Sequence, residues 1–464
     1  MKEKDMKNDA ADIQKDLANE KISKLLWRFG LPAIAGLVVN SLYYLVDRIF
    51  VGNGVGSVGL GAVAVSYPVF IFMMAVAMMV GVGGSVNFSV RLGQNKIPTA
   101  ERIMANAFVL IFIAGAVTSL LLRVFLKDIL LFLGATQTIL PYAETYVRIC
   151  LLSGTLYMTN MVLNNFIRAC GHPRYAMMTL MVGAVANTVL DPIFIFVLNR
   201  GIAGAAQATV ISQVLSFLFA AAFFVKRSPF KVRRRNLMLS LNVVLAIVNT
   251  GMAQFAIQIC AGFVQTILNR SLRAYGGDDA LSAMSVSTST VLFMLMFVIG
   301  LCEGAQPVIA FNFGAKKYDR LRRVFMTTAS VSTLISLVGQ IVIFTQPRAI
   351  ALLFNPADEE WLKVALIALP TASAGLCTVG MQIATSLFLQ ATKRTKTAMF
   401  LVLSRQLLFL VPALHILPHY FGLRGVYAAI PVSDAVAFLC ALEIFRRQMI
   451  HYKKMSAESE NSVF

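Results

Sequence analysis

Two acidic residues lie inside apolar stretches of membrane length, where a charge is costly. Asp47 stands in LYYLVDRIFVG and Asp191 in NTVLDPIFIF. An ionised carboxylate in a low-dielectric site must pair with a positive group, bind a cation or take up a proton. Each option can couple the site to an ion gradient, and acids within a membrane generally mark functional sites. The first prediction is therefore an ion-coupled transporter.

Two neutral side chains are placed to join the acids. Asn187 precedes Asp191 by four residues and so shares its helix face. Asp47 and Asp191 each fall roughly 24 Å along their predicted helices, and Thr209 falls roughly 12 Å from the outer end of the next one. The four side chains are thus predicted to meet at one depth. Their oxygens suit Na⁺, or the carboxyl pair can exchange protons. A hydrogen-bond network that only packs helices is the third interpretation.

The amino-acid composition is typical of a membrane protein. Of 464 residues, 58% are hydrophobic and 14% are charged, whereas soluble domains are roughly 45–50% apolar and 25% charged. About 20 apolar residues cross a bilayer as a helix, so the chain is predicted to be an all-α integral membrane protein with twelve transmembrane helices. The predicted spans are 26–49, 59–90, 103–122, 143–167, 175–198, 201–225, 241–268, 280–311, 325–346, 364–392, 397–418 and 425–445.

The distribution of basic residues predicts the orientation of these spans. A net charge of +19 would indicate nucleic acid in a soluble protein, but most of the 41 Lys and Arg lie in the N-terminal tail and in alternate loops. Such loops are typically cytoplasmic, so both termini are predicted in the cytoplasm of a chain that spans the plasma (inner) membrane. KRSPFKVRRRN, residues 226–236, here called the basic stretch, is interpreted as a topogenic linker that can also touch anionic lipid.

The two halves of the chain resemble each other. FIRACGHPRYAMM (166–178) aligns with FLQATKRTKTAMF (388–400), and GIAGAAQATVISQ (201–213) with GLRGVYAAIPVSD (422–434), at an offset of 221 to 222 residues. Two pseudo-symmetric six-helix bundles are therefore predicted, a parallel repeat with substrate between the halves. The acids are not duplicated, since Asp47 aligns with Asn269 and Asp191 with Pro412 or Ala413. The predicted organisation is a cytoplasmic tail 1–21, an N-lobe 22–230, a basic linker 231–240, a C-lobe 241–450 and a cytoplasmic tail 451–464.

NTVLDPIFI followed by GIAGAAQATVISQ, together with LYYLVDRIFVGN, NNFIRACGHPRYAM and PVIAFNFGAKKYDR, carry a family resemblance. The chain resembles the multidrug and toxic compound extrusion (MATE) family, in its DNA-damage-inducible, bacterial and archaeal branch. The resemblance implies a twelve-helix, V-shaped antiporter that exports organic cations in exchange for H⁺ or Na⁺. It also implies that Asp47, Asn187, Asp191 and Thr209 form the N-lobe cation site, as metal ligands if Na⁺ is the coupling ion, and that Asn164 joins them.

Substrate contacts are predicted on polar or polarizable side chains between the halves. The candidates are Gln258, Gln265, Met294, Glu303 and Gln306. Glu303 and Asp434 can each contact a cationic drug or pair with the intramembrane Arg405. The seventh span holds no acid, which departs from family members that bind a cation there.

Two other functions stay open. A lipid-linked oligosaccharide flippase of the same superfamily is the nearest alternative, although it is expected to have a more basic cavity. A non-transporting receptor or channel is less favoured, because it gives no reason for a duplicated bundle with a one-sided acid pair. GVGSVG at 54–59 lacks a βαβ context, and no enzyme motif stands out. We therefore predict a monomeric transporter without enzymatic activity, cofactor or nucleic-acid partner, whose partners are organic cations, the coupling ion and the bilayer.

Overall fold

A computed structural model describes residues 3–354 and 359–461, and every regular element within them is helical, as predicted. The α-helices are α1 Glu3–Asn19, α2 Ile22–Val55, α3 Ser57–Gly93, α4 Ile97–Val124, α5 Leu126–Phe132, α6 Leu140–Cys150, α7 Gly154–Ala169, α8 Pro173–Pro192, α9 Gly201–Lys226, α10 Leu241–Gly314, α11 Tyr318–Thr345, α12 Pro347–Phe354, α13 Glu359–Ser373, α14 Leu376–Ala391, α15 Thr395–Leu403 and α16 Val411–Asn461. Two π-helical segments, Ile193–Val197 and Ser404–Leu410, continue α8 and α15, and Arg234–Asn236 forms a 3₁₀ turn.

The predicted twelve-helix architecture is confirmed, but two spans are not continuous. Among the described residues, nine helices are long and apolar enough to cross a membrane, and Trp361–Ser373 with Leu376–Ala391 forms a further span bent by 42°. The helix from Thr395 to Glu458 holds the last two predicted spans, separated at Gly422. The fourth predicted span is divided into α6 and α7. Continuous apolar runs could not reveal these breaks.

Small residues explain where the fourth and tenth spans break. Gly154 begins α7, and a Cβ there would lie 2.5 Å from the Ser119 hydroxyl. Gly375 precedes α14, and a Cβ there would lie 2.7 Å from Cβ of Asp434. A neighbouring helix therefore approaches the backbone at each break, which only a small residue permits.

The backbone itself records the duplication. Residues with positive φ recur at the offset seen in the sequence. The pairs are Gly56 and Gly277 (80° and 65°), Asn95 and Lys316 (58° and 57°), Gly171 and Lys393 (86° and 61°), and Gly201 and Gly422 (53° and 57°). Left-handed conformations are costly for residues with a side chain, so their recurrence reflects a shared chain path. Gly277 and Gly422 each break a long helical run into two spans.

The chain forms two compact units. Of the described residues, the first unit contains those up to Glu20 and Leu31–Gln258, and the second contains Lys21–Gly30 and those from Ile259 onward. Each unit therefore includes a short segment from the other half of the sequence. The lobe boundaries given above, 22–230 and 241–450, stay predictions.

Glycines lie where each of these short segments packs against the rest of its unit. In the first unit, a Cβ at Gly83 would overlap the carbonyl oxygen of Ile247, and one at Gly251 would overlap that of Met79. In the second unit, a Cβ at Gly304 would lie 2.6 Å from the carbonyl oxygen of Phe29. Small residues allow helix backbones to approach this closely.

Hydrogen bonds from one side chain strengthen the contact between α3 and the start of α10. Asn87, only 2% exposed, donates to the Thr250 hydroxyl at 2.9 Å and to the Ala246 carbonyl at 3.1 Å. In lipid, apolar side chains gain little by leaving the hydrocarbon, so helices associate through close packing and interhelical hydrogen bonds such as these.

Gly83→Ala is expected to lower the stability of the protein by about 1–3 kcal/mol, because the added methyl group must separate α3 from the start of α10. Thermal unfolding of the purified protein in detergent measures the change. Gly262→Ala is the matched control, since a Cβ at Gly262 meets nothing within 4 Å. Equal unfolding midpoints for the two variants would contradict the close crossing.

The predicted N-terminal tail contains a helix, α1, that packs against the rest of the first unit. Ile13 and Leu17 of α1 are buried, and the Gln14 side-chain amide donates to the Leu92 carbonyl at 3.0 Å. Ile13 also lies against Gly171, where a Cβ would be 3.0 Å from it. The spacing of Ile13 and Leu17 places both on one helix face.

Candidate cation site

Three helices of the first unit position the predicted cation site. Asp47 lies on α2, Asn187 and Asp191 lie on α8, and Thr209 lies on α9. The residue after Asp191 is Pro192, which has no amide hydrogen to donate to the carbonyl one turn earlier. The π-helical segment Ile193–Val197 follows at once, and such segments are frequent at functional sites.

All four side chains are withdrawn from the surface. Asp47 is 5% exposed, Asn187 1%, Asp191 0% and Thr209 5%. The Asp47 and Asp191 carboxyl groups lie within electrostatic reach of each other, and the Asn187 side chain lies beside Asp191 without a hydrogen bond to its oxygens. The Asn187 amide also donates to the Thr209 hydroxyl at 3.4 Å. The structure therefore brings together the four residues that were predicted to meet.

Several oxygens of this cluster find no hydrogen-bond partner among the described residues: Oδ1 of Asp47, Oδ1 of Asn187 and both carboxylate oxygens of Asp191. Buried polar atoms are nearly always satisfied, and leaving one unsatisfied is costly. Hard oxygens of this kind bind Na⁺-like cations, and a shared proton would satisfy two adjacent carboxylates equally well. The donor set therefore fits either H⁺ or Na⁺.

Three residues near the acid pair were not predicted. Tyr43 and Tyr146 lie within electrostatic reach of both Asp47 and Asp191, and Cys150 lies within reach of Asp47. Tyr43 precedes Asp47 by four residues, a spacing that places both on one face of a helix. Tyr146 and Cys150 are brought there by α6, whose packing has no local signature.

Asn164 lies apart from the four clustered residues. Its side-chain amide donates to the Ala176 carbonyl at 2.7 Å and to the Thr179 hydroxyl at 2.6 Å. Thr179 is twelve residues before Asp191 on α8, which corresponds to about 18 Å along a helix. The structure thus gives Asn164 a helix-packing contact, and its part in cation coupling stays a prediction.

The predicted substrate contacts are spread along α10. Gln306 is 5% exposed, and its amide nitrogen finds no partner in the part of the chain that the structure describes. Met294 packs against Gly339 in the second unit, and Gln265 is exposed and donates to Asn269 at 2.9 Å. Gln258 and Glu303 are half-buried. Their roles in substrate binding stay predictions.

The second unit satisfies its buried acid internally. Arg405 Nε donates to Asp434 Oδ1 at 2.7 Å, and the Asp434 side chain is 5% exposed. Gln382 donates to the backbone carbonyl of Asp434 at 2.9 Å. Of the two partners predicted for Asp434, the structure thus gives it the guanidinium. Asp434 thus forms an ion pair, whereas Asp47 and Asp191 form no salt bridge among the described residues.

Comparison with protein families gives one family model that matches twice. The MatE model covers residues 32–193 and residues 252–414. These two matches lie one in each half of the sequence and together span well over half of the chain. Their spacing agrees with the offset between the sequence repeats.

Individual relatives match over nearly the whole length. The multidrug export protein MepA of Staphylococcus aureus (strain N315) is 28% identical over 432 residues, covering 91% of this chain and 93% of that protein. MepA of Staphylococcus saprophyticus is 24% identical over 424 residues, with the same coverage.

Solved structures share the fold. A crystal structure of MATE in complex with MaL6 matches with a TM-score of 0.90 at 25% identity, covering 95% of this chain and 99% of that one. A MOP superfamily transporter from Pyrococcus furiosus, described as having a binding pocket of reverse polarity, matches with a TM-score of 0.89 at 25% identity, covering 94% and 98%.

Proposed function

The chain belongs to the MatE family of membrane transporters, and on that premise we propose that it is a secondary active multidrug exporter that antiports organic cations against H⁺ or Na⁺. The name of the MepA relatives supports multidrug export as the activity. The coupling ion would bind at Asp47, Asn187, Asp191 and Thr209. The protein acts as a transporter and not as an enzyme.

The observation that carries this proposal is the buried acid pair, in which Oδ1 of Asp47 and both oxygens of Asp191 lack hydrogen-bond partners among the described residues. Two buried carboxylates with unpartnered oxygens favour a state in which a cation or proton neutralises them. A small cation that binds one conformation of the transporter better than another shifts the population between them. Release of the ion on the other side of the membrane reverses the shift. Export of a cationic drug can then be driven by ion entry.

Each side chain has a distinct part in the proposed exchange. Asp191 and Asp47 carry the negative charge, and their closeness makes simultaneous ionisation unfavourable. Asn187 can turn its free Oδ1 toward the cation while its amide remains on Thr209. Thr209 offers a hydroxyl that accepts from Asn187 and can donate to a carboxylate. Together these oxygens would hold a proton or Na⁺.

The proposal includes the orientation of the protein in the membrane. We place both termini and the basic stretch on the cytoplasmic side of the plasma membrane, because loops rich in Lys and Arg are typically cytoplasmic. The flippase alternative would need a basic surface for pyrophosphate, whereas the buried carboxylates of Asp47 and Asp191 favour a cation.

Transport by the reconstituted protein tests this function and identifies the ion. In proteoliposomes preloaded with a fluorescent organic cation, an imposed inward H⁺ or Na⁺ gradient is expected to accelerate efflux by about tenfold. Only the coupling ion should do so, and an ionophore that collapses its gradient should remove the acceleration. Equal efflux with either gradient and with none would overturn the proposal.

A further inference from the structure

The basic stretch, residues 226–236, is held to the first unit by two buried side chains. Glu101, 6% exposed, accepts from the Lys231 backbone amide at 2.9 Å and pairs with Arg233 at 3.5 Å. Asn106, fully buried, donates to the carbonyls of Asn236 and Met238 and accepts from the Ser240 amide. A linker that only joins two spans does not need these contacts. These contacts therefore fix the backbone from Lys231 to Ser240.

An aromatic anchor fixes the beginning of the same segment. Phe230 is 1% exposed and contacts Phe88 edge to face, with ring centroids 5.1 Å apart. The Ser228 hydroxyl donates to the Phe230 carbonyl at 2.9 Å and accepts from its amide at 3.2 Å. Burial of a large ring contributes strongly to such docking.

The fixed segment presents arginines and apolar side chains outward together. Arg233, Arg234 and Arg235 are exposed, and Arg234 and Arg235 form no ion pair within residues 3–354 and 359–461. Immediately beyond them, Met238 is 79% exposed and Leu241 is 72% exposed. Lys226 ends α9 and Leu241 begins α10, and both helices are apolar enough to span a bilayer. A segment that joins two such helices is expected where lipid headgroups meet the hydrocarbon.

We propose that residues 231–241 form a binding surface for the headgroups of anionic phospholipids. Arginine forks pair with phosphate oxygens, and basic clusters beside a transmembrane helix attract anionic lipid. Met238 and Leu241 would enter the acyl region next to the bound headgroup. Nucleic acid would not account for these apolar neighbours, and neither would a free phosphate ion.

Titration of the purified full-length protein with lipid, followed by native mass spectrometry, tests this proposal. Dioleoylphosphatidylglycerol is expected to bind wild type more tightly than dioleoylphosphatidylcholine. The double variant Arg234→Ala/Arg235→Ala should bind the anionic lipid about tenfold or more weakly, since each basic residue at the surface contributes. Arg123→Ala/Lys127→Ala removes the same charge from exposed residues on α4 and α5 and should bind like wild type.

A charge-neutral variant separates a positioned surface from simple attraction. Asn106→Leu removes the bonds to Asn236, Met238 and Ser240 without changing the net charge, so weaker binding of the anionic lipid is expected. If that variant does not purify as a folded protein, the arginine pair decides alone. Equal loss in both double variants would overturn the proposal. So would displacement of the lipid by soluble glycerol phosphate at equal concentration.

Discussion

Asp191→Asn is expected to reduce gradient-driven efflux of an organic cation by about tenfold, to the rate seen without a gradient. Asparagine keeps the shape of the side chain but removes the charge that a proton or Na⁺ would neutralise. Asp191 is fully buried and both of its oxygens lack a hydrogen-bond partner among the described residues. The variant should fold at least as well as wild type, because a buried charge is lost. Efflux under the H⁺ and Na⁺ gradients measures the effect.

Asp319→Asn is the matched control for this substitution. Asp319 lies in the first turn of α11, its side chain is 47% exposed, and it pairs with Arg322 and Arg323. Surface ion pairs contribute little to stability, so transport should stay at the wild-type rate. Gradient-driven efflux by Asp191→Asn at the same rate as by Asp319→Asn would remove Asp191 from the coupling site.

Arg405→Met is expected to destabilise the protein by about 3 kcal/mol, because it leaves the buried Asp434 carboxylate without its counter-charge. Methionine retains much of the volume of the arginine stem and keeps the helix propensity. Thermal unfolding in detergent and the yield of monodisperse protein measure the loss. This loss of stability is near the lower end of the range for broken buried ion pairs, because the Arg405 side chain is still 29% exposed.

The double variant Arg405→Met/Asp434→Leu controls for the loss of the arginine itself. Removal of both charges is expected to restore most of the stability, since an apolar pair of similar volume often replaces a buried ion pair without cost. A double variant as unstable as Arg405→Met would show that packing of the arginine, rather than its charge, matters. Transport by the double variant also reports whether Asp434 has any part in drug recognition.

The depth of the candidate cation site could be predicted because helices have a fixed rise per residue. Counting along three apolar runs placed Asp47, Asp191 and Thr209 at one level, and a four-residue spacing added Asn187. Asn164 was assigned by the resemblance alone, and its contacts with Ala176 and Thr179 set it apart from the other four residues.

Features that depend on contacts between distant segments could not be predicted. The divisions between α6 and α7 and between α13 and α14 occur within apolar runs, so hydropathy alone gives no break. Tyr146 and Cys150 reach the acid pair only through the packing of α6. Asn106 lies in the third predicted span and Glu101 lies just before it. Nothing near them in sequence indicates that they bind the segment that follows α9.

The reciprocal placement of two short segments limits how this molecule can be divided. Lys21–Gly30 belongs to the second unit and residues 241–258 belong to the first, and close glycine crossings hold both in place. A chain severed within the basic stretch would leave each fragment without a piece that the other carries. Fusion of two identical ancestors that had first dimerised by exchanging their leading helical segments would produce this connectivity. Independent expression of either half is thus the wrong route to a folded single lobe.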